Sequence, residues 1–389
     1  MKPTPSLLSL ALLAALVAPA AHAEIAIDSI ADSEVSFEGL IQADGYWYNN
    51  DFSSLDGKTG DGTTNDFGMR RAELVLKGKG PGNIEWVLGY DAKASKFLDV
   101  NAKYKWRGNG NNYFQFGQFK QPNSLEELSS TKNNDFVSKA MITNSFALSR
   151  RLGAGIGYGD ANWGVNASVF GDEMTRNLAK GSGFGARGFW APINDKGNIL
   201  HLGLSYVDYN AKISDSNSTL DNTARFRARP DADFSTRLID TGRLADTDSI
   251  STLGGEAMWV KGPIKLQSEY MKTNANRSAG LDNYSSTGGY ISGVWNITGE
   301  TWGYKAGVPS TPLPNEPASG MWQVGLRYDT LDLNDGLVQG GKMNTVTAGV
   351  NWYWRSNFKF MLNYVKVNST RIGISDDPSI VEGRVQFYF

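Results

Sequence analysis

Apolar and polar residues alternate one by one along much of this chain, and the last ten residues show it most cleanly. Val381, Val385, Phe387 and Phe389 fall on one face of that stretch, and Glu382, Arg384 and Gln386 on the other. A period of two belongs to a strand, whose successive side chains point to opposite faces. A soluble fold that finishes on a bare aromatic-rich strand leaves an edge open to aggregation. A membrane barrel needs such a strand, because the last must pair with the first so that no backbone group stays unsatisfied in lipid.

The same alternation, bounded by turn residues, predicts sixteen strands at 35–48, 67–79, 83–93, 97–106, 111–120, 152–159, 162–171, 183–192, 200–209, 251–261, 264–273, 286–299, 320–332, 343–354, 357–368 and 380–389. An even number places both ends on one side, as in bacterial barrels. Ten tilted residues at about 3.3 Å each cross an apolar band of ~25 Å. In one strand Ile84, Trp86, Leu88 and Tyr90 alternate with Glu85, Val87 and Asp91; in the next Leu98, Val100, Ala102, Tyr104 and Trp106 alternate with Asp99, Asn101, Lys103 and Lys105. The first set of each is expected to meet lipid and the second the lumen, since a lysine at the bilayer midplane costs about 2–4 kcal/mol.

Connection lengths carry the same message. Short turns follow the second, sixth, tenth and fourteenth strands (Gly80-Pro81-Gly82, Gly159-Asp160-Ala161, Lys261-Gly262-Pro263, Arg355-Ser356), and the longest connections, 121–151 and 210–250, follow odd strands. Short periplasmic turns and long outer loops produce this parity. The Pro-rich segment 300–319 breaks it and is expected to be a long periplasmic connection. Sixteen strands enclose a channel too wide for side chains to fill, so inward loops and wall charges must set its selectivity. The fold class is therefore all-β, a 16-stranded antiparallel transmembrane β-barrel with inward-folded constriction loops.

The opening residues differ in kind. Lys2, the apolar run Leu7 to Ala18 and the small-x-small site Ala21-His22-Ala23 predict a signal peptide over 1–23, leaving a barrel domain over 24–389. That apolar run is shorter than the ~20 residues a helical span needs, and no later segment offers eighteen consecutive apolar residues. There is no Cys, and His201 is the sole His beyond the leader, so thiolate metal sites are excluded and histidine-based catalysis or zinc binding is not expected. Removing Lys2 leaves 37 basic against 40 acidic residues, a net charge near −3. So balanced a total identifies no partner, nucleic acid included, and the distribution of charge must decide.

Charge concentrates in three places. In Arg225-Phe226-Arg227-Ala228-Arg229 an extended backbone points all three guanidinium groups one way, about 7 Å apart. Such a row suits stepwise passage of an oxyanion, which Arg grips with two parallel hydrogen bonds; a solvated basic loop facing lipopolysaccharide is the other reading. Arg70 and Arg71 open the second strand; strict alternation cannot put both in the lumen, so either one sits above the membrane band or the strand is bulged there, and an interfacial anchor is the other reading of the pair. The segment 121–151 is long enough to fold inward and carries Ser129, Ser130, Thr131, Lys132, Lys139, Arg150 and Arg151 beside Glu126, Glu127 and Asp135.

These pieces resemble the phosphate-selective porins of the O and P type from Gram-negative outer membranes, over essentially the whole chain after the leader. The matching stretches include Phe67-Gly68-Met69-Arg70-Arg71-Ala72-Glu73-Leu74, Phe116-Gly117-Gln118-Phe119, Ala191-Pro192, Gly197 to Leu204, Thr298-Gly299-Glu300, Gly349-Val350-Asn351-Trp352-Tyr353 and Asn363-Tyr364-Val365-Lys366. The resemblance implies a homotrimer of 16-stranded barrels, without a cofactor, whose inward loops narrow each channel to a zone lined by an arginine ladder. It assigns Arg70 and Arg71 to the channel wall and Arg225, Arg227 and Arg229 to the ladder. It sets Ser130, Thr131 and Lys132 at the anion, Lys139 in place of a loop Arg, and Asp99 as a wall carboxylate opposite the arginines. The chain departs from the family where a periplasmic lysine funnel is expected: Glu85 and Glu127 stand at two of its positions, Lys305 at a third, and Glu73 replaces a Tyr.

The expected function is an outer-membrane diffusion channel for phosphate or polyphosphate, in contact with membrane lipid and lipopolysaccharide. A general, weakly selective porin is the alternative, with Glu73, Glu85 and Glu127 cancelling the ladder. An outer-membrane hydrolase finds no nucleophile elbow or His-containing triad to support it, and a purely structural barrel would not conduct.

Overall fold

The computed structural model describes residues 25–30, 33–57, 64–107, 111–175, 179–213 and 222–389; the leader expected at 1–23 lies outside them. Sixteen strands form the wall. In chain order they are β1 (Ser33–Asn49), β2 (Asn65–Gly80), β3 (Ile84–Asp91), β4 (Lys96–Lys105), β5 (Tyr113–Lys120), β6 (Arg150–Gly159), β7 (Trp163–Phe170) and β8 (Gly183–Asp195). They continue as β9 (Asn198–Asn210), β10 (Thr247–Lys261), β11 (Ile264–Arg277), β12 (Tyr284–Asn296), β13 (Met321–Asp335), β14 (Val338–Trp354), β15 (Phe358–Arg371) and β16 (Ser379–Tyr388). Each pairs antiparallel with the next, and β16 returns to β1 from Leu40↔Tyr388 to Asn49↔Ser379. The expected closed antiparallel barrel is the observed one. At the seam Gly39 and Phe389 exchange both backbone hydrogen bonds (2.9 and 3.1 Å). A Cβ on Gly39 would lie 2.3 Å from the Phe389 ring, so a larger residue would displace the terminal aromatic from its place over the joint.

The burial pattern is inverted relative to a soluble protein. Leu204, Val169, Phe116, Trp190 and Leu326 are exposed on the outside, whereas Asp44, Arg384, Glu382, Arg327 and Lys359 are buried inside. Apolar residues turned outward over polar residues turned inward is the arrangement lipid demands. A run of neighbouring rings (Trp322, Trp352, Trp354, Phe358, Phe387, Phe389) crosses β13 to β16 at one end of the barrel. That end holds the carboxyl terminus and the start of β1, the level at which aromatic side chains meet the membrane–water boundary.

Among the places where the strand register shifts, two bulges face the open channel. Gln42 pairs with Arg71 but Ala43 with Met69, so Arg70 is an extra residue in β2. The phase shift turns both arginines inward, while Met69 and Leu74 stay outside. Between Leu88↔Val100 and Tyr90↔Phe97 there is likewise one residue too many in β4. Leu98, expected on the lipid face, is consequently buried beside Asp99 against the channel.

Candidate functional site

Three segments fold into the barrel. The first, 121–149, contains the short helices Leu125–Leu128 and Met141–Phe146 and a single 3-10 turn at Thr131–Asn133. The far wall holds it by its backbone. Glu269 of β11 accepts from the amides of Leu125 (2.9 Å) and Glu126 (2.8 Å), and Asp329 of β13 accepts from Met141 (2.6 Å). Lys265 pairs with Asp135 at 2.6 Å, and Lys359 of β15 donates to the Asn134 carbonyl. The second segment, 222–246, enters from the same end. Its Asp231 accepts from the hydroxyls of Thr345 (2.6 Å) and Thr347 (3.3 Å), and Arg327 pairs with it at 3.0 Å.

The third segment, 297–320, enters from the opposite end. It was expected to be a long periplasmic connection; it lies at that end but also folds inward as a hairpin, Gly303–Lys305 against Val308–Ser310. The Tyr304 hydroxyl lies 2.6 Å from His201 Nδ1, the Gly307 carbonyl accepts from Arg187 (2.7 Å), and Thr311 donates to the Asn133 carbonyl (3.2 Å). His201, whose other nitrogen lies 3.0 Å from Glu256, thus stands under this hairpin.

With the far side filled, the open space lies against β1 to β6 and divides into two chambers. The outer, of about 200 Å³, is lined by Arg70, Arg71, Lys96, Lys120, Lys139, Arg150 and Arg384 with Glu127 and Asp233: seven cationic side chains to two carboxylates. The inner, of about 460 Å³, is lined by Lys77, Lys103, Lys120, Lys132 and Arg150 with Glu38, Glu73, Glu85 and Asp99, five to four. Lys120, Thr131 and Arg150 line both and form the neck between them.

The sequence-chosen residues distribute as follows. Arg70 donates to Asp233 (2.7 Å) and Arg71 to Glu73 (2.8 Å), both from the outer chamber wall. Asp99 accepts from the Nε and Nη2 of Arg150 (3.1 and 2.7 Å), so this carboxylate orients the neck guanidinium instead of standing alone opposite it. Thr131 is at the neck. Ser130 and Lys132 line the inner chamber, where Lys132 lies 4.0 Å from Glu38 and 5.9 Å from the centre of the Tyr388 ring. Lys139 lines the outer chamber but is held by Glu127 at 2.5 Å. Burial alone would raise the Glu127 carboxyl; Lys139 and Lys120 outweigh it and bring it down to about 2.

Arg225, Arg227 and Arg229 lie on the second inward segment and share a side, because Phe226 and Ala228 between them are buried. They do not line either chamber. Arg225 is spent on Asp240 through two bonds (2.8 and 2.5 Å), and Arg229 donates to the Ser235 carbonyl (2.7 Å). Arg227 is exposed. Arg237, three residues before the acid that holds Arg225, joins the group: partial burial, then Arg229 and Arg227, push its guanidinium down to about 10. Burial lowers the Arg229 guanidinium against the pull of Asp233, and Arg227 and Arg70 add to the lowering. Burial raises the Asp233 carboxyl, but Arg70, Arg384 and Arg71 hold it below the ordinary carboxylate range.

Sequence reasoning missed Lys120, Lys96 and Arg384 and did not single out Arg150 as a neck residue. Lys120 and Arg150 are cross-strand partners at the mouths of β5 and β6, where the inward segment leaves and returns. A basic residue at each end of a long loop was the available signal. The acidic departures are also paired: Glu85 with Lys105 (2.5 Å), Glu127 with Lys139 and Glu73 with Arg71.

Comparison with known proteins agrees with this geometry. A family described as phosphate-selective porin O and P matches residues 41–389. An uncharacterized protein of Caulobacter vibrioides is 29% identical over 76% of this chain, which spans 62% of that relative. Porin O of Pseudomonas aeruginosa is 26% identical over 92% of this chain and 89% of its own. Among solved structures, the outer-membrane channel DcaP of Acinetobacter baumannii has a TM-score of 0.58 at 12% identity, covering 94% of this chain and 99% of that one. The anion-selective porin of Comamonas acidovorans has 0.57 at 12% identity, over 92% and 100%; likenesses at this identity speak to fold. The family match extends over nearly all of the barrel, and this chain belongs to the phosphate-selective porins O and P, outer-membrane porin channels.

Proposed function

We propose that the channel is a passive one selective for phosphate-type anions. The observation that carries this reading is the outer chamber, where seven cationic side chains face two carboxylates at the approach to a neck made of Lys120, Thr131 and Arg150. Anions gather from the loop through Arg227, Arg229 and Arg237, pass Arg70 and Arg71, and exchange part of their water for the neck's donors. Several modest sites in series allow both entry and release, as conduction requires. Arg supplies paired donors to phosphate oxygens where Lys supplies a point charge, so the arginines orient the ion and the lysines attract it.

A trimeric assembly fits the broad apolar outer face, and OmpT of Vibrio cholerae, a barrel of the same fold, has been seen in trimer form. A signal peptide over 1–23 would bring the chain to the outer membrane.

A general, weakly selective porin is the second reading, favoured by the balanced inner chamber. Zero-current potentials across planar bilayers in a chloride gradient, followed by phosphate titration, separate the two. Anion selectivity with phosphate block of chloride current supports the phosphate channel. Conductance with neither property supports the general porin.

A further inference from the structure

We infer that the inner chamber is a subsite for the organic part of a phosphomonoester, its phosphate held at the neck. This rests on the reading of the neck as an anion site.

The two chambers differ in more than volume. The outer one has Val137 and Ala147 as its apolar lining, so it is almost wholly charged and polar. The inner one adds Leu40, Val75, Val87 and Leu98, together with the rings of Tyr113 and Tyr388. Leu98 is there because the β4 bulge turns it inward beside Asp99. Amide groups stand among these surfaces: Gln115 donates to Asn101 at 2.9 Å, leaving polar atoms of both near the space.

Charge points the same way. Below the neck, Glu38, Glu73, Glu85 and Asp99 meet Lys77, Lys103 and Lys132, with Lys105 paired to Glu85 from the edge. The whole inner lining carries five cations to four carboxylates against seven to two above the neck, so a second phosphate is drawn there far less strongly than the first is to the outer chamber. A neutral polyol or sugar substituent meets a different balance. Its hydroxyls donate to carboxylate oxygens that still have free lone pairs, and its C–H faces cover the aliphatic wall. The inner volume, more than twice the outer, admits such a substituent, whereas bare phosphate uses the neck alone.

The full-length protein in planar bilayers tests this by titrating inorganic phosphate, glycerol 3-phosphate and pyrophosphate against chloride current. Glycerol 3-phosphate should halve the current at about five-fold lower concentration than phosphate, equivalent to roughly 1 kcal/mol, and pyrophosphate should show no such gain. Val87→Phe, which fills the chamber, should keep the phosphate block and remove the advantage; Val75→Phe is the second probe if that barrel does not assemble. Phosphate block with no preference for the monoester would overturn the subsite while leaving the anion channel standing. An advantage that survives filling would likewise overturn it. Absence of block by any phosphate would overturn both readings.

Discussion

The two chambers are built by different means. The inner wall is regular strand: Glu73, Val75 and Lys77 on β2, Glu85 and Val87 on β3, and Asn101 and Lys103 on β4 face the same space at every second position. The outer chamber mixes strand and irregular backbone: the Arg70 bulge and the inward segments supply Arg70 and Lys139 with both carboxylates, Glu127 and Asp233, while Arg71, Lys96, Lys120, Arg150 and Arg384 stand on strands. The inner chamber's charges nearly cancel, and the outer has five more cations than carboxylates. The strands thus supply the excess of positive charge, and the departures from the strand repeat gather it into one chamber above the neck.

The largest test of this contrast asks which outer cations are structural. Arg384 reaches Asp44 through two bonds of 2.7 and 2.6 Å, both side chains buried. Removing one partner of such a pair strands the other charge. Arg384→Leu should lower barrel stability by about 3 kcal/mol, read as an earlier loss of β structure in urea. Arg384→Leu combined with Asp44→Leu should recover most of that loss. If the single variant is as stable as the parent, Arg384 is free to serve anions like its neighbours.

At the neck, Arg150→Ala removes a donor fork and leaves Asp99 unpaired beside the path. The phosphate concentration that halves chloride current should rise about ten-fold, the loss of one charge-assisted contact of roughly 1.5 kcal/mol. Asp99→Asn should act oppositely, freeing Arg150 to hold phosphate longer and slowing single-channel block and release. Equal effects of the two substitutions would mean that Asp99 merely positions Arg150.

The same division explains what could be read from sequence. Period-two alternation located all sixteen strands, the seam at Phe389 and the inward set Glu85, Asn101 and Lys103, because each follows from one rule applied locally. Leu98 was misplaced because a single extra residue reverses the phase, and nothing in Lys96 to Val100 marks the bulge. Arg70 and Arg71 at least betrayed theirs, since two adjacent charges cannot share a face of a straight strand. The far-wall grip on 121–149, through Glu269 and Asp329, joins residues more than 140 positions apart and leaves no local trace. The hairpin at 303–310 was hidden in the same way: its inward fold depends on Arg187 and His201, a hundred residues earlier.

Acid should spare the outer chamber until it is extreme. Glu127 titrates near 2 in the folded protein, below its ordinary value of 4.5. A depressed carboxylate contributes stability that is complete above the unfolded value and disappears as pH falls through the folded one. The Lys139 clasp should therefore hold from neutral pH to about 4.5 and weaken between there and 2. Conductance steps measured across that range should become noisier at the acid end, and Glu127→Gln should show the same noise at neutral pH. A parent channel already noisy at pH 5 would place the clasp elsewhere. In the inner chamber Glu85→Gln should shift the zero-current potential modestly toward anions, because Lys105 loses its partner at 2.5 Å.

The smallest effect belongs to the mouth. Arg227 is exposed, and a lone charge in water acts through the field it adds to its neighbours, chiefly Arg229 and Arg237. Arg227→Ala should slow phosphate entry about two-fold in 0.1 M salt, where the screening length is about 10 Å. It should leave the exit rate unchanged, since that rate is set at the neck. In 1 M salt, with screening at about 3 Å, the difference should vanish. Arg150→Ala should keep most of its effect at both salt concentrations, because its contact is short and partly buried. An Arg227→Ala defect that persists at high salt would bring the loop arginines into direct contact with the ion, and the mouth would then belong with the neck as a binding site.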